Sequence, residues 1–514
     1  MGTSQPLFRL SSEILALIMD HLRGLDHRSV FVVRLVCRVL DSLATPVAYR
    51  AIQLNHRIID PSAPSLYPGL LEHVSCFTHE VTVRSDLPST DVRRVLSAIE
   101  HLSLVRWSFV SRDNSNLRLP WDILDADQVE RSGTSIAVEN LPLGGANCDL
   151  DESCFINPAL TRRMVSLKLS SPKPPLTTRS GSLKRLVLQS PHLRTMHYRD
   201  LGIGTSFSFG GSERLPAVVD LVLQSYNWDH SADEVVRHWD FSQIRSLELV
   251  NMPVANFLAS VRLGDFARLH TLRVEDYGGH LQETRPGATL RLCELVRDHV
   301  EALETLDITC HTQLFELEAI GRHRHSLRVL RYRDHVGFED DSKRCPTLAR
   351  SELAALGHRL GHVHTLELDM DGGGGGGGNG GVGGGGDLVE AVSSSFARLH
   401  TLTLHVQTRI RSCDPVEPDR DRDREAALDV FGRLVGRRAW RRVTINVGGW
   451  RRAMVRRMGY GWKRHNEQGV YAERCFWLEA DGRGGYSVGE ETALGGAICR
   501  PSRALCISWP GLRR

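Results

Sequence analysis

Lysine is almost missing from this chain: of 514 residues 64 are Lys or Arg, yet the only lysines are Lys168, Lys173, Lys184, Lys343 and Lys463. The formal net charge is only +3, so the molecule as a whole is not a polycation built to coat nucleic acid. Long apolar runs are lacking too. No stretch reaches the ~18 consecutive apolar residues that cross a bilayer, and Met1 to Arg9 holds no apolar run of the secretory kind, so the expectation is an intracellular protein, cytoplasmic and/or nuclear, with no membrane partner. The 11 cysteines never stand in a C-x-x-C pair, which argues against a zinc ribbon or a compact disulfide framework. No G-x-x-x-x-G-K-[S/T], G-x-S-x-G or H-E-x-x-H occurs, so no enzyme activity, cofactor or metal is expected. Asp149-x-Asp151, Asp369-x-Asp371 and the pair His323 and His325 read as ordinary solvated groups.

Hydrophobic residues make up 41% and charged residues 24%, which suits a packed core over most of the length. From Leu10 to Tyr49 the pattern is helical. Ser11 or Ser12 caps a helix on which Ile14, Ile18 and Leu22 share a face with Leu15 and Met19. Asp26 caps a second, across Val30 to Cys37, although so β-branched a run has strand propensity. Thr45 and Pro46 read as the cap and first residue of a short third helix.

Downstream, L-x-x-L-x-[L/I/V/Y] keeps returning. It occurs at Met164/Leu167/Leu169, Leu183/Leu186/Leu188, Leu193/Met196/Tyr198 and Val218/Leu221/Leu223, and again around Leu247, Leu272, Leu306, Leu330, Leu366, Leu402 and Val443. Successive centres from Leu221 onward are 26, 25, 34, 24, 36, 36 and 41 residues apart, mostly at or above the ~20–29 of a leucine-rich repeat. Short strands with longer, partly helical returns are expected, for example helices within 290–302 and 348–360. The nearly pure glycine of 372–386 and the charged run 412–425 are expected as disordered inserts.

Leu10-Ser11-Ser12-Glu13-Ile14-Leu15, then Arg34-Leu35-Val36-Cys37-Arg38 and Ala44-Thr45-Pro46, resemble an F-box, with Ser11 where that family has Pro. An F-box followed by such repeats resembles the leucine-rich-repeat F-box substrate receptors. The resemblance implies an α+β multidomain chain, a small all-α helical domain followed by an irregular α/β leucine-rich-repeat solenoid. The boundaries read from the sequence are a flexible 1–9, an F-box at 10–55, connecting or irregular first repeats at 56–160, the array at 161–450, and a C-terminal cap and tail at 451–514. It also implies a non-catalytic subunit of an SCF-type ubiquitin ligase that serves ubiquitin-dependent degradation. A Skp-type adaptor, and through it cullin and RING subunits, would dock on Leu10, Ile14, Leu15, Ile18, Leu35, Val36, Cys37 and Arg38. An unknown protein substrate would bind the array. Few lysines would then leave the receptor few sites for its own modification.

Two charged features remain. In L-x-x-L-x-L the residue between the last two apolar positions points out of the sheet, and across five strands it reads Glu248, Arg273, Asp307, Arg331, Glu367, alternating in sign. Such residues form a ladder of cross-strand ion pairs, either a stabilised surface or a polar substrate-docking face. From 431 to 466 there is no acid, while eleven basic residues alternate with Trp440, Trp450, Tyr460 and Trp462. That composition suits the alternative reading, a nucleic-acid or anion-binding scaffold without a ligase role.

Overall fold

The computed structural model describes residues 10–110, 120, 123–141, 157–169, 180–199, 205–275, 283–334, 348–370, 384–406, 421–447, 474–481, 485–492 and 505–506. The chain is mixed α/β and forms two compact units: residues 1–227 with 233–241, and residues 228–232 with 242–514.

The first unit opens with three helices, α1 (Ser12–Leu25), α2 (His27–Arg34) and α3 (Arg38–Tyr49). Ser11 caps α1 by accepting from the Ile14 N–H, and Asp26 caps α2 by accepting from the Arg28 N–H at 3.0 Å. Helix therefore wins over the strand propensity of Val30 to Val33: a capped turn and a core on one side decide a run that propensity alone assigns elsewhere. Pro46 lies inside α3 rather than starting a helix, and the hydroxyl of Thr45 donates to Asp41 instead of capping. Met19, Val30, Leu40, Ala44, Val47 and Ala48 form the shared core of the three helices.

Seven parallel strands follow in this unit: β1 (Ala51–Gln53), β2 (Glu80–Arg84), β3 (Leu104–Ser108), β4 (Ser135–Glu139), β5 (Met164–Lys168), β6 (Thr195–Arg199) and β7 (Asp220–Gln224). All are short; β2 and β3 alternate buried with half-buried residues, the two-residue period of a sheet with one face covered, while β4 and β7 bury their three central residues. β2, β3 and β4 fall within 56–160, the range read from the sequence as connecting or irregular first repeats. The motif at Leu183/Leu186/Leu188 is not a strand: it lies in the helix Ser180–Leu188. Asn140, directly after β4, and Ser225, directly after β7, take left-handed backbone with φ of 59° and 57°.

In the second unit β8 (Ser246–Val250), β9 (Thr271–Glu275), β10 (Thr305–Cys310), β11 (Val329–Asp334), β12 (Thr365–Met370), β13 (Thr401–Val406) and β14 (Arg442–Val447) run parallel. Antiparallel strands β15 (Arg474–Ala480), β16 (Tyr486–Thr492) and β17 (Leu505–Cys506) then continue the sheet. The motif centres stack in register: Leu247, Leu272, Leu306, Leu330, Leu366, Leu402 and Val443 face one another across seven strands and are all fully buried. Each such side chain contributes roughly 1.5–3 kcal/mol of burial, which explains why this column, rather than the loops, carries the repeat. Helices Arg285–Glu294 and Arg350–Arg359 occupy the returns expected at 290–302 and 348–360.

Both expected inserts meet helix at their ends. Residues 372–383 and 412–420 lie outside the described residues, but Gly384–Ser395 is helical, and Arg422–Val435 is a helix capped by Asp421, whose carboxylate accepts from the Arg424 N–H. The second half of the charged run is thus the start of a helix with Asp423 buried in it, not a solvated loop. Among the described residues no helix is long and apolar enough to cross a membrane.

Candidate functional site

Two surfaces carry the residues singled out in the sequence. The first is the outer face of α1 to α3. α1 has two apolar stripes, because residues four apart share a face: Leu15 and Met19 point inward, while Leu10, Ile14, Leu17, Ile18 and Leu25 remain exposed. Phe31 and Val32 on α2 and Leu35, Val36 and Val39 at the α2–α3 junction extend the exposed set. These ten are two thirds of the 15 exposed large apolar residues among those described. Leu35 ends α2, 85% exposed, with Val36 beside it.

Of the eight expected adaptor contacts, Leu10, Ile14, Ile18, Leu35, Val36 and Arg38 are exposed. Leu15 is not on this surface: at 3% exposure it belongs to the interior, since its position, one residue on from Ile14, turns it about 100° toward the other helices. Cys37 is half-buried against the three-helix core and starts α3. Leu17, Leu25, Phe31, Val32 and Val39 were missed. Their signal was present as a second apolar stripe, but a stripe alone does not say which side faces in. Arg34 braces the patch from behind, donating to Asp41 at 2.9 Å with its guanidinium 5.2 Å from the Tyr49 ring. That bond and the Thr45 hydroxyl hold the Asp41 carboxyl below its usual range.

The second surface is the outer sheet face of the second unit. Glu248, Arg273, Asp307, Arg331 and Glu367 occupy directly opposed positions on five successive strands. Arg273 donates to Glu248 at 2.7 Å and lies 3.5 Å from Asp307; Arg331 donates to Asp307 at 2.9 Å and lies 3.2 Å from Glu367. Arg273 and Arg331 thus share one face, as the alternation of signs requires. Two residues further along each strand runs a second polar row that sequence reasoning did not assemble. Arg273 also binds Glu275, Arg333 donates to Asp369 at 3.1 Å, and His405 donates to Glu367 at 2.7 Å.

Burial differentiates these groups. Asp307 is held above the usual carboxyl range because burial, helped by the charge of Glu275, outweighs Arg331 and Arg273. At Glu367 burial pushes the same way but loses to the His405 bond and to Arg333 and Arg331, which bring it to about 2. His405 is itself held below its usual range by burial and by Arg333. It is therefore a neutral imidazole at pH 7 whose Nε2–H donates to Glu367, with Nδ1 3.5 Å from the Asn446 amide.

The remaining candidates resolve as structure. His323 is buried: its Nδ1 accepts from the Leu303 N–H and its Nε2–H donates to the Val296 carbonyl. Both ring nitrogens are used, so it braces a turn; His325 is exposed. Asp369 accepts from Arg333 and the Asp334 N–H, while Asp149, Asp151 and Asp371 lie outside the described residues. Among the described residues no group of acids, histidines and cysteines is arranged to hold a metal. The Arg/Trp segment 431–466 is described only as far as Val447. There Trp440 is buried, donating through Nε1 to the Leu434 carbonyl, so it offers no stacking plane. A cleft of about 610 Å³ lies beside helix Arg350–Arg359, with the Arg359–Glu318 ion pair in its lining.

The chain matches no known family model and no curated protein.

Proposed function

We propose that the chain is an F-box substrate-recognition subunit of an SCF-type, cullin–RING ubiquitin ligase. The exposed aliphatic face of α1 to α3 docks a Skp-type adaptor, and the strand-and-return array, read as an irregular leucine-rich-repeat solenoid, engages a protein substrate. The observation that carries this reading is the concentration of exposed large apolar side chains: ten within residues 10–39 against five in all other described residues. A helical face so apolar on the outside needs a partner to cover it, since exposed apolar groups scattered singly need no account but a contiguous cluster does. The F-box-like wording Leu10 to Leu15 and Arg34 to Arg38 supplies the chemistry of that partner. The receptor acts without catalysing: it raises the local concentration of substrate at a ubiquitin-charged enzyme, inside the cell.

A pull-down of the full chain with a recombinant Skp-type adaptor tests the reading. Retention of wild type and its loss with Leu35→Asp is expected. No retention of wild type under mild salt overturns the ligase role and leaves the anion-binding alternative.

A further inference from the structure

We propose that the N-terminal ends of β11 to β14 form a cationic rim that docks an acidic polypeptide segment. This goes beyond the ligase reading and does not depend on it, because the rim lies wholly in the second unit.

The residue immediately before each of these strands is Arg328, His364, His400 and Arg441. Backbone bonds tie them side by side: the His364 N–H donates to the Arg328 carbonyl at 2.9 Å, His400 to His364 at 3.1 Å, and Arg441 to His400 at 2.8 Å. The two imidazoles stack with centroids 5.2 Å apart and planes within 5°. Each is oriented by its own neighbour, with Nδ1 3.0 Å from the hydroxyl of Thr365 or Thr401. The two imidazoles are therefore fixed, and the backbone places the exposed Arg328 and Arg441 on either side of them.

Its charge is not neutralised from within. Arginines on the outer sheet face, Arg273, Arg331 and Arg333, are all matched to carboxylates. Among the described residues no carboxylate lies within ion-pair distance of Arg328, Arg398, Arg441 or Arg442; Arg398 donates instead to the His362 ring. The turns entering these strands, 322–328, 358–364, 396–400 and 436–441, contain no acid. Burial and then the charge of Arg328 hold His364 below its usual range, and burial, His364 and Arg441 do the same to His400, so both imidazoles are neutral at pH 7 and the charge of the rim is carried by the arginines. The pattern stops at β10, where Glu301 and Glu304 are exposed.

The geometry selects the occupant. Three strand spacings separate Arg328 from Arg441, about 14 Å, the reach of roughly four residues of extended chain at ~3.4 Å each. Carboxylates near the two ends of such a segment reach Arg328 and Arg441, and the residues between them lie over the two imidazoles. A single-stranded nucleic acid needs exposed aromatic planes for its bases. Among the described residues of this unit Trp440 is buried, the imidazoles stack on each other, and the exposed large apolar side chains, Leu290 and Leu314, are not aromatic.

The test is fluorescence anisotropy with a labelled peptide of about a dozen residues alternating Glu and Ser, added to the full chain at low salt, where charge contacts are least screened. The double variant Arg328→Glu/Arg441→Glu is expected to bind at least about tenfold more weakly, while Arg262→Glu/Arg268→Glu, exposed cations ahead of β9, changes binding less than about twofold. The single variant Arg398→Glu, with an unchanged unfolding midpoint as its control, guards against a folding defect in the double variant. It too is expected to weaken binding. No binding by wild type, or equal losses in the two double variants, overturns the proposal. So does an oligonucleotide of matched charge that binds more tightly than the peptide and loses that binding in Arg328→Glu/Arg441→Glu.

Discussion

Replacing Leu35 by Asp separates surface from core more cleanly than any other change in the chain. Leu35 terminates α2 and is 85% exposed, so the folded protein gains little from its side chain. Substitutions at such positions usually shift stability by no more than about 0.5 kcal/mol. A partner that covers α1 to α3 gains almost the whole side chain, roughly 1.5–3 kcal/mol. Asp forfeits that and adds the cost of burying a carboxylate with no cation provided for it. At ~1.4 kcal/mol per factor of ten, adaptor affinity is expected to fall at least about 30-fold while the urea midpoint stays put. Biolayer interferometry on immobilised Skp-type adaptor reads the first quantity and urea unfolding the second. Wild-type affinity retained within about twofold by Leu35→Asp would refute the assignment of this face to the adaptor. A collapse of the urea midpoint would refute the assignment of Leu35 to the surface. Val36→Asp is expected to behave alike, whereas Leu15→Asp, inside the helical unit, is expected to unfold it.

Leu40→Ala, in the core of the three helices, is expected to cost about 2–5 kcal/mol by urea unfolding, most of it from the cavity left behind. Arg273→Ala strips Glu248, Glu275 and Asp307 of their shared cation and should cost about 3–5 kcal/mol, against about 0–1 for Arg84→Ala at the more exposed pair with Asp86; equal losses would mean that the ladder is not a buried network. Gly357→Ala sets a helix-propensity gain of about 1 kcal/mol against a new Cβ at 2.7 Å from the Ser395 Cβ and 2.8 Å from the Phe396 ring; overpacking of about 1–3 kcal/mol wins, so the melting temperature should drop. Acidification separates two ladder carboxylates. Asp307, raised, takes its proton first and thereby relieves a cost of folding. Glu367, depressed to about 2, contributes stability that is whole above its unfolded value of ~4.3 and is lost only as pH falls from there toward 2. Carboxyl carbon shifts followed by NMR should show Asp307 titrating well above Glu367, and the reverse order would contradict the burial argument.

What the sequence made legible follows from what repeats. Leu272, Leu306, Leu330, Leu366 and Leu402 recur because each must cover the next, so a motif centre names a strand and the residue after it names the outward face. The five-residue ladder was therefore readable from Glu248 to Glu367. The same spacing misled at Leu183, Leu186 and Leu188, since its L-x-x-L half also fits one face of a helix: Leu183 and Leu186 are buried there, while Leu188 turns off that face and is half-buried. β4 was hidden because Ser135 to Glu139 carries Ile136, Ala137 and Val138 without the leucine signature, although its register with β3 is ordinary. At the amino end the caps Ser11 and Asp26 were legible as local chemistry, but the orientation of α1 was not. Ile14 and Leu15 are both apolar, and which of them turns inward is settled by the other helices, whose Val30 and Leu40 pack with Met19, one turn on from Leu15.

That distinction bears on where a substrate would bind. Every acid of the ladder row already meets an arginine or histidine, and Asp307 and Glu275 are buried beneath those contacts, so a ligand arriving there must break a paired ion before it makes one. Breaking a buried pair costs about 3–5 kcal/mol, more than one new surface contact returns at about 0–1. Glu248, Arg273, Asp307, Arg331 and Glu367 are thus better placed to hold the strands in register than to recognise a client. Arg328 and Arg441, at the strand N-termini, meet no carboxylate among the described residues, so an acidic ligand arriving there has no pair to break.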